Sequence, residues 1–182
     1  MKIIAGDAKN KRIKSRKGTD TRPTLGSMKE SLFSIIAPYV PDSVFLDLFS
    51  GSGSISLEAL SRGAKRAVMI EKDTEASKYI IENVNSLAYE DRCRAYKNDV
   101  LRAVEILGRK GEKFDIIFMD PPYKEEVCTK VIKAIEKNKI LAEGGLIISE
   151  HHVFEELEDE IGEFKKADER KYGKKCITFY TR

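Results

Sequence analysis

The stretch Val44-Phe45-Leu46-Asp47-Leu48-Phe49-Ser50-Gly51-Ser52-Gly53 decides the fold. Residues 44–49 form a short apolar run carrying one carboxylate, the pattern of a strand covered on both faces. A glycine loop follows, and then a helix running through Leu60 that closes at Arg62-Gly63. Strand, loop and helix in that order open a βαβ unit. The loop then lies at the carboxyl end of the strand, where open α/β sheets bind their ligands. Glycines at that point let the backbone turn sharply and approach a ligand closely.

The same alternation continues downstream. Strands are predicted at 67–71, 94–97, 114–119 and 145–149, and helices at 100–107 and 127–135. A further helix before 94–97 places Ala76, Tyr79, Ile80, Val84 and Leu87 on one side. Segments 164–170 and 176–180 flank Gly173 and read as an antiparallel hairpin. Short apolar strands separated by amphipathic helices predict an α/β fold with a doubly wound, mostly parallel sheet. Upstream, 2–5 and 12–15 read as two short strands and 20–23 as a loop. A helix starting near Thr24 or Ser27 carries the stripe Leu25, Met28, Leu32, Ile35 and Ile36, and ends before Pro38 and Pro41. The expected organisation is a basic N-terminal extension over 1–23 and one domain over 24–182.

Composition narrows the function classes. The chain of 182 residues is 41% hydrophobic and 35% charged, as expected of a folded domain with a full core. No apolar run approaches the roughly 20 residues of a membrane span, and no signal-peptide core follows Met1-Lys2. Cys93, Cys128 and Cys176 are far apart and lack metal-ligand spacing, which points to reduced thiols in a cytoplasm. His151 and His152 are adjacent on a strand, so they face opposite sides and make a poor metal pair. No metal is expected. The net charge of +3 hides an asymmetry. Residues 1–29 hold nine basic and two acidic side chains, while the remainder holds 24 basic and 28 acidic. A basic arm on an acidic body points to a polyanion, and nucleic acid is the usual one.

Carboxylates recur at the predicted strand ends: Asp47, Glu71, Asp99 and Asp120. The run Gly51-x-Gly53-x-x-Ser56 is a degraded dinucleotide fingerprint, but Asp47 just before it would repel a pyrophosphate. The same carboxylate attracts a sulfonium or an ammonium, which favours S-adenosylmethionine. Glu71 can accept both hydroxyls of a ribose. Asp99 can accept from an adenine amino group while Val100 packs on the ring, although both Asp47 and Asp99 can equally cap the turns that follow them.

The strand at 114–119 delivers Asp120-Pro121-Pro122-Tyr123 to the same edge. An exocyclic amine on a nucleobase is a poor nucleophile because its lone pair is delocalised into the ring. The Asp120 carboxylate and the Pro121 carbonyl can each accept one of its N–H groups and hold the nitrogen pyramidal. Pro121 and Pro122 keep that carbonyl out of a sheet ladder, and Tyr123 offers a face for base stacking. The four residues are the expected catalytic run.

Several segments together resemble the bacterial RsmD-like methyltransferases. They are Ile3-Ile4-Ala5-Gly6, Asp20-Thr21-Arg22-Pro23-Thr24, Lys29-Glu30-Ser31-Leu32-Phe33, the glycine loop, Glu58-Ala59-Leu60-Ser61-Arg62-Gly63-Ala64, Glu71-Lys72-Asp73 and the strand ending in Asp120-Pro121-Pro122-Tyr123. Ser50 stands where alanine is common, and Asn10-Lys11-Arg12 where a Gly-Arg pair is usual. The resemblance implies transfer of a methyl group from S-adenosylmethionine to the exocyclic N2 of one guanine in 16S ribosomal RNA, presented on a partly assembled small subunit. It also implies a seven-stranded sheet. Asp47, Phe49, Gly51, Gly53, Glu71, Lys72, Asp99 and Val100 would hold the cofactor, and Lys9, Lys11, Arg12, Lys14, Arg22 and Thr24 the RNA. A monomer in the cytoplasm, away from membranes, is expected. The alternatives are methylation of adenine N6 or of a protein glutamine, or an RNA-binding assembly factor without catalysis.

Overall fold

The computed structural model describes residues 1–16, 23–122 and 126–182, and of residues 23–25 the backbone alone. Five strands form the parallel part of the sheet: β1 (Val44–Asp47), β2 (Arg66–Glu71), β3 (Cys93–Lys97), β4 (Phe114–Met119) and β5 (Leu141–His152). Three antiparallel strands complete it: β6 (Glu160–Ile161), β7 (Phe164–Tyr172) and β8 (Lys175–Thr181). The strand order is β3-β2-β1-β4-β5-β8-β7-β6. The chain therefore proceeds outward from β1 to β3 on one side and restarts at β4 on the other. That reversal leaves a crevice beyond the carboxyl ends of β1 and β4. Among the described residues the sheet has eight strands where seven are expected, because the two-residue β6 is too short to leave a periodic signal.

Helices cover both faces. Alternating strand residues point to opposite sides, so Phe45, Met69, Ile116 and Phe118 enter one core while Leu46, Val68, Ile70, Ile117 and Met119 enter the other. The first core is closed by α1 (Pro23–Ile35), α2 (Ser54–Ser61) and α3 (Thr74–Leu87), the second by α4 (Val100–Arg109) and α5 (Val127–Asn138). Helix α1 begins at Pro23, a turn ahead of the Ser27 capping box. Proline suits the first helical position because its missing N–H has no helical partner there in any case. Strand β1 ends at Asp47, two residues short of the apolar run. Leu48 N still donates to Phe118 O (3.0 Å) and Ser50 N to Ile70 O (3.0 Å), tethering the loop between β4 and β2.

The two strands expected in the arm reduce to a single antiparallel bridge, Lys2 with Arg12. Its apolar residues instead join the body. Ile3, Ala8 and Ile13 are buried in the core shared with α1, α2 and α3. The turn between them presses on the end of α2, where Asp7 N donates to Ser61 O (2.9 Å) and Ala8 N to Ser61 Oγ (3.0 Å). Gly6 has φ +88°, and a Cβ on it would stand 1.8 Å from Ser61 O, so no side chain fits this approach.

The strongest tether is Glu58, which is fully buried on α2. Its carboxylate accepts from Ile4 N (2.9 Å) and Ala5 N (3.0 Å), and pairs with Lys29 (3.1 Å) and Arg62 (2.8 Å). Burial alone would raise its carboxyl, but these donors outweigh it and hold the group below the ordinary range. Glu58→Ala should cost about 3–5 kcal/mol in chemical denaturation, because it strands the buried Lys29 ammonium. Limited proteolysis of that variant should cut within residues 1–16 well before the native protein is cut there.

Candidate active site

The crevice opens into a cavity of about 770 Å³. Its floor is the sheet edge: Asp47 at the end of β1, the turn Phe49-Ser50-Gly51-Ser52, Asp120 after β4, and Glu150 on β5. Its walls come from the arm (Met1, Lys2, Ile4, Ser15, Arg16), from α1 (Met28, Lys29, Leu32) and from the start of α3 (Ala76, Tyr79). The size suits a ligand of nucleoside dimensions.

The glycine loop is held in shape from two sides. Gly51 adopts φ +53°, and space is open around the position its Cβ would take, so a ligand can approach the backbone there. Gly51 N donates to Glu71 Oε2 (2.7 Å), and Asp73 N donates to Glu71 Oε1 (2.8 Å). Glu71 therefore braces the loop, and each oxygen keeps a second lone pair for a ribose hydroxyl. On the arm side, buried Asn83 of α3 accepts from Lys14 N (2.7 Å) and donates to Lys14 O (2.8 Å) and Ser52 O (2.9 Å). One side chain thus joins arm, helix and loop.

The electrostatics of the floor are set by carboxyl groups. Asp47 is buried, accepting from Phe49 N (3.3 Å) and Ser56 Oγ (3.2 Å). Burial pushes its carboxyl up to about 7, against the pull of those two donors. Asp120 stands on the neighbouring strand end with its side chain 37% exposed. It too is raised, by desolvation and then by the adjacent Glu150 carboxylate, with Lys175 opposing. Lys175 Nζ lies 3.8 Å from Asp120 Oδ2 and forms a close ion pair with Glu150.

Of the residues predicted from sequence, the structure brings Asp47, Phe49, Gly51 and Asp120 into one cavity. Pro121 and Pro122 follow directly, the first buried and the second exposed. Gly53, at φ +83°, immediately precedes α2 as its N-cap. Glu71, Lys72, Asp99 and Val100 lie outside the cavity lining, along the ends of β2 and β3. Asp99 is the cap of α4, accepting from Leu101 N (3.0 Å) and Arg102 N (3.4 Å) through Oδ1. Tyr123 and Arg22 lie outside the described residues, and so does the side chain of Thr24. On the arm, Lys9, Lys11 and Arg12 are exposed, whereas Lys14 pairs with Glu82 (2.9 Å) and Arg16 with Glu75.

Sequence reasoning missed Lys29, Glu150 and Lys175. Glu150 was findable: it directly follows the predicted strand 145–149 as Asp120 follows 114–119, the same strand-end position. Lys29 lay within an amphipathic helix with no polar signal of its own, and Lys175 in a hairpin. Among the described residues no cluster of His, Cys, Asp or Glu could hold a metal ion, and no helix is long and apolar enough to cross a membrane. The three cysteines are buried and free.

Comparison with known proteins identifies the family. The profile described as Conserved hypothetical protein 95 matches residues 1–181. The chain belongs to this family. It is 34% identical to YlbH of Bacillus subtilis, provisionally named an rRNA methyltransferase, over 99% of this chain and 98% of that protein. It is 34% identical to Ribosomal RNA small subunit methyltransferase D of Escherichia coli, over 84% of this chain and 75% of the relative. Among solved structures, Escherichia coli yhhF, provisionally described as a methyltransferase, superposes with TM-score 0.88 at 30% identity, covering 100% of this chain and 97% of that one. The chain is a methyltransferase of this family, on the mostly parallel α/β sheet expected of one.

Asp120→Ala should abolish methyl transfer, a fall of at least 100-fold being expected from loss of a positioned acceptor. Its affinity for S-adenosylmethionine by calorimetry should stay within a few-fold of native, and retained turnover would refute the role given to Asp120.

Proposed function

We propose that this protein transfers a methyl group from S-adenosylmethionine to the exocyclic N2 of one guanine in 16S small-subunit ribosomal RNA. The observation that carries this reading is the convergence of Asp47, the Gly51 turn and Asp120 on one cavity at the reversal point of the sheet. RNA as the substrate is supported by the relatives named Ribosomal RNA small subunit methyltransferase D and by the basic arm at the cavity wall. Guanine N2 rests on the resemblance to the RsmD-like enzymes.

The lining fits the methyl donor. Asp47, Asp120 and Glu150 give the floor an acidic character, which repels a pyrophosphate and suits a molecule with a sulfonium and an ammonium. The open space over Gly51 admits its backbone contact. Asp47, Phe49, Gly51 and Gly53 would surround the donor, Glu71 its ribose, and Lys72, Asp99 and Val100 its base end. When bound, S-adenosylmethionine supplies an electrophilic methyl carbon.

The residues of the chain then position the amine. The Asp120 carboxylate accepts one N–H and the Pro121 carbonyl the other, while Tyr123 stacks on the base. Held by Asp120 and Pro121, the N2 lone pair would be aimed at that methyl carbon, which the donor would give up in leaving as a thioether. The surplus proton of the nitrogen passes to Asp120. Most of the rate gain is orientation, a contribution of roughly 7–11 kcal/mol when the geometry is near attack. Phosphates of the RNA would meet Lys9, Lys11, Arg12 and Lys14 on the arm, together with Arg22 and Thr24. The protein acts in the cytoplasm as a monomer on a partly assembled subunit.

Incubation with labelled S-adenosylmethionine and small subunits lacking the modification should place label on guanine in the RNA. Tight RNA binding without any transfer would instead mark a non-catalytic assembly factor. Replacing Lys9, Lys11 and Arg12 by alanine should flatten the salt dependence of RNA affinity, by roughly 0.7 in log–log slope for each phosphate no longer neutralised.

A further inference from the structure

Asp120, Glu150 and Lys175 come from three adjacent strands. Met119 pairs with Ser149 across β4 and β5, so Asp120 and Glu150 stand side by side just beyond that pair. Lys175 opens β8 opposite His152, and its side chain reaches back to both carboxyl groups. Glu150 is only 5% exposed, while its partner Lys175 retains a 24% exposed side chain. A carboxylate that buried is costly unless paired, so Glu150 fixes the ammonium in place. The ammonium in turn lies within direct electrostatic reach of Asp120.

The geometry points to Lys175 and Glu150 as positioning residues that act on Asp120 in opposite senses, Lys175 favouring its charged form and Glu150 disfavouring it. The inference deepens the proposed function, since it rests on Asp120 as the acceptor of the target amine. Only the charged form of Asp120 leaves either oxygen free to accept the N–H and can take up the proton released after transfer. Among the described residues, the other titratable groups around the cluster are Asp47 from β1, His151 from β5 and Cys128 from α5. Asp47 adds repulsion to the Asp120 anion. His151 is buried with Nε2 on Thr178 Oγ1 (2.8 Å), and Cys128 is buried with its thiol pushed up to about 12, which keeps it neutral. Among the described residues, Lys175 is the cation in ion-pair contact with Asp120.

The sign of each effect follows. Removing the ammonium destabilises the Asp120 anion, so the acidic limb of kcat/KM moves to higher pH. Removing the Glu150 charge relieves repulsion, so the limb moves to lower pH. Lys175→Met should raise the limb by about one pH unit or more, the range expected for an opposite charge at this separation. Glu150→Gln should lower it, and Lys175→Arg should leave it near the native position.

The decisive readout is the titration of the Asp120 carboxyl by isotope-edited NMR, in each full-length variant without substrate. Opposite displacements in Lys175→Met and Glu150→Gln support the inference. Displacements in the same direction, or none, overturn it, because a purely structural role lowers turnover without moving the titration apart. This measurement needs no methyl transfer. Native protein inactive on guanine at every pH would therefore contradict the proposed function while the titration still decides the pair's role.

Discussion

The buried carboxylate of Glu58 is the interaction on which the site depends. The sheet supplies a floor of strand ends, but a floor alone is an open edge. Two walls are added by the arm and by α1, and Glu58 holds both, through the N–H groups of Ile4 and Ala5 on one side and the Lys29 ammonium on the other. Lys29 also donates to Lys2 O (3.2 Å) and Ser54 Oγ (3.1 Å), so the same network reaches the first turn of α2. A carboxylate buried this deeply is tolerated because every donor it meets is satisfied in return. The apolar anchors Ile3, Ala8 and Ile13 supply the burial that keeps the arm down.

The floor shows the opposite balance, with negative groups gathered where they repel one another. Asp47 is buried with a folded-state value raised to about 7. A raised carboxyl destabilises the fold progressively as pH climbs from the ordinary carboxylate range to that value. Asp120 and Glu150 add a second such pairing, offset by Lys175. Strain of this kind is expected where a site is complementary to a ligand rather than to itself. A cationic methyl donor held there, as proposed above, would relieve it on binding, which would link the stability cost of these carboxyl groups to selectivity for the donor.

Much of the fold was legible because its signals are local. The apolar run at 44–49, the glycine turn and the run Phe114–Met119 followed by Asp120 announced a parallel sheet and two facing strand ends. Asp47 and Asp120 met in one cavity as that pattern implied. What stayed hidden depends on tertiary neighbours. Glu58 sits among apolar residues of α2 and reads as a surface helix residue until the arm folds over it. Asn83 and Lys29 acquire their meaning only from partners distant in sequence. Lys175 reaches Asp120 across β5, an approach that no periodicity encodes. The carboxylates along β2 and β3 divide differently: Glu71 braces the loop and Asp99 caps α4, roles that sequence spacing cannot separate from ligand binding.

The central claim is that the Asp120 strand end methylates one guanine of the small-subunit RNA. The most direct measurement is mass-spectrometric nucleoside mapping of 16S RNA from cells from which the gene has been deleted. The account predicts loss of a single N2-methylguanine, restored by the native gene and not by a copy encoding Asp120→Asn. An unaltered set of methylated guanines, or the loss of a methyl group from another base or from protein, would contradict it.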